Sequence, residues 1–464
     1  MQTDKFKNRK KETNEMKETL NKKGFAFEII YGRRRVGKTE LVLNSIKSLK
    51  NFKNKNYIYY LATEENNLER FYNVCVNHDS NVSKLKKDYE ILFDYLKDKV
   101  DIIVLDEFQN FIKENSNFLN LLQSIIDTNI KHSNLKLIVL GSSVSIISSK
   151  VLGYKSPLYG RKTASLNLKP VSFFDLKQFF PNLDIDKLIE IYGFADGIPY
   201  YLNKIERDFW KWFEKEINSD KGFLKDEVDF LMKFEFEDSS THKLILQAIA
   251  AGKNTIKEIR DFTRLQRTDI SPYLRNLMEV GLVKREIPFN ENVKSRKGRY
   301  FLQDNFVKFW FRYIYPNLSS IEQGIYRIQE VKSDYSEYLG KIFEDICKEY
   351  LTLTNFNFSK LERWWHKDNE IDIIGLGKDS GKKTIYFTEC KYKKNVNPER
   401  ILNKLSEKKD FFKLHNKDYY KKIENKSLEE GYIIFAKSFE KKINNFKGKK
   451  VFCFDLNDLK KKLT

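Results

Sequence analysis

The chain has 464 residues, 41% hydrophobic and 14% aromatic, which excludes wholesale disorder; at roughly 150 residues per domain, about three domains are expected. Lys and Arg outnumber Asp and Glu by 85 to 65, a formal net charge of +20 that favours an anionic partner such as nucleic acid, although a Lys-rich solvated surface gives the same total. No apolar run reaches the ~20 residues that span a bilayer. Residues 1–23 lack the apolar centre of a signal peptide, and Cys75, Cys347, Cys390 and Cys453 lack metal-ligand or paired spacing, so a cytoplasmic protein with reduced thiols and no membrane partner is expected.

From Phe25 to Ser172, apolar β-rich runs alternate with helical stretches, the pattern of an α/β domain with a parallel sheet covered on both faces. Strands are expected at Phe25–Tyr31, Tyr57–Ala62, Asp101–Leu105, Leu135–Leu140 and Ser165–Val171. The first runs into Gly32-Arg33-Arg34-Arg35-Val36-Gly37-Lys38-Thr39 and then a helix, the context that makes G-x-x-x-x-G-K-[ST] a phosphate loop. The glycines let backbone N–H groups close around phosphates, and the helix N-terminus adds positive potential. All eight residues are therefore candidate nucleotide-binding positions, with Lys38 reaching the β/γ-phosphates and Thr39 ligating Mg²⁺.

The third strand ends in Asp106-Glu107. Coupled to a phosphate loop, Asp106 is expected to hold Mg²⁺ through water and Glu107 to act as the general base that polarises the attacking water. The fourth strand ends in Gly141-Ser142-Ser143, where the Ser142 hydroxyl would sense the γ-phosphate; a simple turn explains the same residues. Arg161 would stabilise transition-state charge as an arginine finger, or simply lie on the surface. After Pro181 the pattern is helical, interrupted by Gly197-Ile198-Pro199.

Together, Tyr31 to Leu41, Leu105-Asp-Glu-Phe-Gln109, Ser156-Pro-Leu-Tyr-Gly-Arg161 and Gly197-Ile-Pro-Tyr-Tyr-Leu202 resemble the archaeal ATPase family of the AAA+-related signal-transduction (STAND) NTPases. The resemblance covers roughly the first half of the chain. It implies ATP as the nucleotide, with Pro199 close to the adenine. Phe6, Asn8, Arg9 and Glu12 resemble the short box that precedes the first strand in those proteins, although Lys10 stands where an acidic residue usually follows the arginine.

Three helical stretches follow, Thr241–Ala250, Thr255–Phe262 and Thr268–Val280, the last stopped by Gly281. Strands at Leu282–Ile287 and Arg299–Leu302 flank a polar tip, Asn290-Glu291-Asn292, completing the pattern of a winged helix. Leu274, Leu277 and Met278 are spaced to face its core, leaving Arg267, Arg275 and Asn276 outward. Lys284, Arg285, Lys294, Arg296, Lys297 and Arg299 load the wing. A recognition helix with a basic wing on DNA would look like this, and so would a winged helix packed within the chain.

A last α/β unit starts near Tyr335, with a helix, a hairpin near Ile371–Glu389, another helix and a strand at Tyr432–Phe435. Strand period two puts Glu389 and Lys391 on one face, and the turn Lys378-Asp379-Ser380-Gly381-Lys382 brings Asp372 towards them. Glu344, on the preceding helix, joins them. Glu344, Asp372 and Glu389 are candidate Mg²⁺ ligands; Asp372, Glu389 and Lys391 are candidate catalytic residues, the lysine orienting or deprotonating the attacking water. This set resembles the PD-(D/E)XK nuclease superfamily, with Ile371 where a proline is usual. Tyr335 to Leu456 also resembles the C-terminal domain of uncharacterised function in many archaeal ATPases of this type. Salt-bridged surface carboxylates are the plainer alternative.

The expected architecture is α/β: a P-loop ATPase core with a parallel sheet at 1–175, a helical lid at 176–239, a winged helix at 240–315 and a restriction-endonuclease-like domain at 316–464. The expected function is an ATP- and Mg²⁺-dependent ATPase acting on DNA, with homo-oligomerisation left open. Two alternatives stand beside it: an ATP-dependent signalling or scaffold switch with a catalytically inactive C-terminal module, and a regulator that binds DNA without cutting it.

Overall fold

The computed structural model describes residues 6–49, 56–265, 269–379, 382–417, 419 and 428–464. Strands β1 (Ala26–Tyr31), β2 (Tyr57–Leu61), β3 (Ile102–Asp106), β4 (Lys136–Gly141) and β5 (Ala164–Asn167) form a parallel sheet in the order β2-β3-β4-β1-β5. Alternating side chains feed two separate cores. Ile30, Val104, Ile138 and Leu140 enter one, and Ile29, Ile103, Leu105, Leu137 and Val139 the other. That two-sided burial explains the near-continuous apolar runs.

Strand β5 is shorter than its apolar run suggested. Pro170 has no N–H for a ladder, and Val171 gives its N–H to the Gly197 carbonyl at 2.8 Å instead. The topology has a direct consequence for function. Strand β4 lies between β1 and β3, so the ends of all three, Gly32, Asp106 and Gly141-Ser142, meet along one sheet edge.

Helices Ile185–Ala195, Pro199–Lys204, Phe209–Ile217 and Glu227–Glu235 follow. Their shared core is aromatic: Phe194 packs against Phe209, Trp212, Phe306 and Phe309, and the Trp310 indole donates to the Leu224 carbonyl at 2.8 Å. Next come helices Ser240–Ala250, Ile256–Thr263 and Ser271–Glu279 and an antiparallel pair, β6 (Val283–Glu286) and β7 (Arg299–Leu302). Leu274 and Leu277 are buried, Met278 is half-buried and Arg275 is exposed. Arg267 and Thr268 lie outside the described residues.

The hairpin does not project freely. Phe289, just past β6, is buried in the C-terminal core against Phe412 and Tyr419, and its N–H donates to the Arg363 carbonyl at 2.8 Å. The C-terminal unit is built on helix Ile328–Thr352 and a mixed six-stranded sheet in the order β12-β13-β11-β10-β9-β8. Strands β8 (Lys360–His366), β9 (Asn369–Asp379) and β10 (Lys382–Lys391) are antiparallel neighbours. Strands β11 (Glu429–Ala436) and β13 (Lys449–Phe454) continue in parallel, and β12 (Asn445–Phe446) closes the edge. Ser380 and Gly381, in the expected β9–β10 turn, are outside the described residues. No helix among the described residues is long and apolar enough to cross a membrane.

Candidate functional site

Strand β1 delivers the chain to the sheet edge, where it turns through Gly32–Gly37 into helix Lys38–Lys47. Gly32, Arg35 and Gly37 have φ of 150°, 71° and 90°. At Gly32 a Cβ would also run into the Leu168 carbonyl, so only glycine fits. A turn of this kind ahead of a helix presents consecutive N–H groups to an anion.

Lys38 is 5% exposed, and its Nζ donates to the carbonyls of Gly32 at 2.9 Å and Arg33 at 3.0 Å. Burial lowers its pKa to about 8, against the raising influence of Glu107, Asp106 and Glu235. The next residue reaches the second strand end: Thr39 Oγ1 donates to Asp106 Oδ2 at 2.6 Å. The Tyr59 hydroxyl donates to the same oxygen at 2.8 Å, and the Glu107 N–H donates to Asp106 Oδ1 at 2.7 Å. Asp106 is 3% exposed. A hydroxyl beside a buried carboxylate is an all-oxygen set that suits a hard cation such as Mg²⁺.

Glu107 holds a left-handed backbone, φ 52°, which is uncommon for a residue with a Cβ. Its carboxylate is fixed on both sides. Ser142 Oγ donates to Oε1 at 3.0 Å, Gln109 Nε2 donates to Oε2, and Gln109 Oε1 accepts the Ser142 N–H at 3.2 Å. The fourth strand thus places Ser142 beside Glu107 and Gln109. Gln109 belongs to the Leu105–Gln109 run, yet only the strand order reveals its partner.

The side chains of Arg33, Arg34 and Arg35, grouped by sequence with the ATP-binding positions, are engaged elsewhere. Arg33 pairs with Asp304 and Arg35 with Glu227. Arg34 lies over the rings of Phe230 and Phe234, at 4.9 and 4.4 Å from their centres. Local sequence pattern marks none of these partners. Another unexpected neighbour is Glu235, which accepts from Ser143 Oγ at 3.4 Å. Burial pushes its carboxyl up to about 7, opposed by Arg33, the Ser143 hydrogen bond and Lys38.

Two further segments line the loop. Arg9 donates to the carbonyls of Val36 at 3.3 Å and Lys169 at 2.6 Å and pairs with Glu12 at 2.9 Å. Pro199 starts its helix just after Gly197, whose φ is 67° and whose Cβ would enter the Val171 carbonyl. The adjacent Tyr200 ring lies 4.0 Å from the Arg35 guanidinium carbon. Arg161 is not brought to this site. It precedes β5 and donates from Nε and Nη2 to Asp127, at 3.0 and 2.7 Å, near the start of the sheet.

In the C-terminal sheet, Asp372 on β9 and Glu389 on β10 come from neighbouring antiparallel strands. Asp372 Oδ2 accepts the Cys390 N–H at 2.8 Å. Burial, reinforced by Glu344 and Glu389, pushes its carboxyl up to about 7. The group within metal-sharing reach differs from the expected one: carboxylate oxygens of Glu344, Glu370 and Asp372 lie within 4.8 Å of one another. Glu389 instead accepts from Lys391 at 2.6 Å and from Lys408 at 2.9 Å. Arg363, on β8, donates to Glu344 and, at 3.1 Å, to Glu370. The oxygens suit a divalent cation, which would compete with that guanidinium.

The wing is tied to the same region. Lys284 pairs with Glu286 at 2.9 Å and Asp345 at 3.0 Å, and Arg285 donates to the Val293 and Ser295 carbonyls. Lys297 pairs with Glu291, and Arg299 lies 4.9 Å over the Trp365 ring. Lys294 and Arg296 are exposed. Of the six basic residues that load the wing, Lys284, Arg285, Lys297 and Arg299 are engaged within the chain, the arrangement of the packed alternative.

Residues 6–205 match a family described as an ATPase domain predominantly from Archaea. Residues 310–409 match one described as archaeal and bacterial proteins of unknown function. An uncharacterized protein of Methanocaldococcus jannaschii is 47% identical over 432 residues, covering 91% of this chain and 96% of its own. Among solved structures, a Walker-type ATPase of Pyrococcus abyssi aligns over 66% of this chain and 96% of its own, at 22% identity and a TM-score of 0.49. The Aeropyrum pernix ORC2 protein aligns over 69% and 94%, at 14% identity and a TM-score of 0.44. The chain belongs to the archaeal ATPase family in which this ATPase domain is followed by a C-terminal domain of unknown function.

Proposed function

We propose that the chain is a Mg²⁺-dependent ATP hydrolase whose nucleotide site is the edge where β1, β3 and β4 end. The Thr39–Asp106 hydrogen bond carries this reading, because it joins the phosphate-loop hydroxyl to the acidic strand end. Lys38 and the loop N–H groups would hold the phosphates, while Thr39 and Asp106 would hold Mg²⁺. The cation would neutralise charge on the phosphate oxygens. Glu107, clamped by Ser142 and Gln109, would orient the attacking water and accept its proton. Asp106→Asn and Thr39→Ala should each lower ATP turnover by about a hundredfold or more; turnover equal to wild type in both would rule the assignment out.

The domain reading is likewise ours: an ATPase core over 1–175, a lid over 176–239, a winged helix over 240–315 and a nuclease-like domain over 316–464. Close approach of Glu344, Glu370 and Asp372 favours a second activity, divalent-cation-dependent cleavage of DNA by the PD-(D/E)XK-like sheet. Incubating DNA with Mg²⁺ or Mn²⁺ and comparing wild type with Asp372→Ala tests it. Absence of cleavage by wild type over a broad range of DNA substrates would leave the C-terminal unit as the output module of an ATP-driven switch.

A further inference from the structure

The three loop arginines are all drawn to one side, by residues far away in sequence. Arg33 and Asp304 are 8% and 1% exposed, so their ion pair is desolvated. Such a pair is geometrically specific, and removing one partner leaves an uncompensated buried charge. Asp304 also works in a second direction: its Oδ1 accepts the Val307 N–H at 2.6 Å and caps helix Asn305–Phe309.

From that helix, the Phe306 ring stacks on Tyr201 at 4.4 Å. The Tyr201 hydroxyl donates to Glu227 Oε1 at 2.6 Å, and Glu227 pairs with Arg35. The contacts close a circuit from Arg33 through Asp304, Phe306, Tyr201 and Glu227 back to Arg35. Arg34 adds its ring contacts on the same side. Within the circuit lies a loop with two glycines in left-handed backbone, a segment with little stiffness of its own. Rigidity has to come from outside it: Arg9 holds the Val36 carbonyl, and Arg33 and Arg35 are held through their side chains by Asp304 and Glu227.

We propose that Asp304 and Glu227 are positioning residues for the nucleotide reaction, acting through Arg33 and Arg35 to hold the Gly32–Gly37 backbone in its phosphate-binding shape. The proposal rests on reading that loop as the ATP site. It assigns the arginines to fastening the loop and leaves Lys38 as the loop side chain that meets phosphate. Asp304 follows β7 directly, and the same hairpin carries Phe289 into the C-terminal core. The fastener therefore connects the nucleotide loop to the C-terminal unit.

The test is fluorescence-monitored binding of mant-ATP to the full-length chain, with ATP turnover and thermal unfolding measured in parallel. Asp304→Asn retains the capping oxygen and removes the charge; Glu227→Gln retains an acceptor for Tyr201. Each should raise the Kd for mant-ATP about tenfold, equal to about 1.4 kcal/mol. KM for ATP should rise in step, and kcat should change less than threefold. Arg33→Gln combined with Asp304→Asn should be no worse than the worse single variant, because the pair acts as a unit. An unchanged Kd with a lowered melting temperature assigns Asp304 a merely structural role and overturns the proposal, as does a double variant whose Kd change is the product of the two singles. Wild type that binds no more mant-ATP than Lys38→Ala refutes the nucleotide reading itself; wild-type binding that both carboxylate variants preserve refutes only the positioning role.

Discussion

Glu28 offers a sharp test of how the five-stranded parallel sheet is stabilised. It sits on β1, 4% exposed, beneath the N-terminal helix Lys10–Asn21, and its Oε2 makes no hydrogen bond. Burial raises its pKa from 4.5 to about 7, with the Thr19 hydroxyl opposing and Glu15 adding to the rise. The folded pKa lies above the unfolded one, so the folded state binds the extra proton between these values. Stability is therefore lost as pH rises from about 4.5 to about 7, and the full penalty persists above that range. The penalty works out at about 1 kcal/mol at pH 5 and about 3 kcal/mol at pH 8. Glu28→Gln keeps an acceptor for Thr19 and removes the buried charge. It should raise the melting temperature of the ATPase unit by a few degrees at pH 8 and by much less at pH 5, read by calorimetry. A variant less stable than wild type at pH 8, or one shifted equally at both pH values, would refute the argument.

Gly197→Ala places a Cβ against the Val171 carbonyl at a positive φ. It should destabilise the junction between the sheet and the helices that follow it by about 1–3 kcal/mol, seen as a lower melting temperature. Phe289→Ala empties an aromatic site between Phe412 and Tyr419 at a cost of about 3–5 kcal/mol. Limited proteolysis should then cut the β6–β7 connection faster than in wild type. Arg363→Gln leaves Glu344 and Glu370 without their guanidinium partner. Mn²⁺ should raise the melting temperature of this variant more than that of wild type; equal shifts would show that Arg363 does not compete for the cluster.

Much of this arrangement is legible in the sequence, for identifiable reasons. A parallel sheet buried on both faces writes itself as apolar runs, so β1 to β4 could be located closely from the pattern alone. The phosphate loop and Asp106-Glu107 are short segments whose chemistry depends on adjacent residues, and so they show as motifs. Long-range pairing leaves no such trace. Asp304, Glu227 and Glu235 lie far from the loop in sequence and meet it or its neighbours only through the tertiary fold, and a single acidic residue in or beside a helix has no local signature. Arg161 stood out in its motif, whereas the topology puts it before β5 and away from Lys38. In the C-terminal sheet, period two correctly put Glu389 and Lys391 on one face. Glu370 shares the period-two face of Asp372 on β9, whereas Glu389 is held by Lys391 and by Lys408, the latter arriving from helix Pro398–His415. Phe289 was hidden for a different reason: a lone aromatic beside a polar turn looks exposed until the domain that receives it is present.

The most direct test of the proposed nucleotide site is a side-by-side measurement of phosphate release from ATP, in Mg²⁺, by wild type, Lys38→Ala and Glu107→Gln. The structure predicts turnover by wild type, loss of both binding and turnover in Lys38→Ala, and retained ATP binding with turnover reduced about a hundredfold or more in Glu107→Gln. Equal turnover by all three proteins would contradict it.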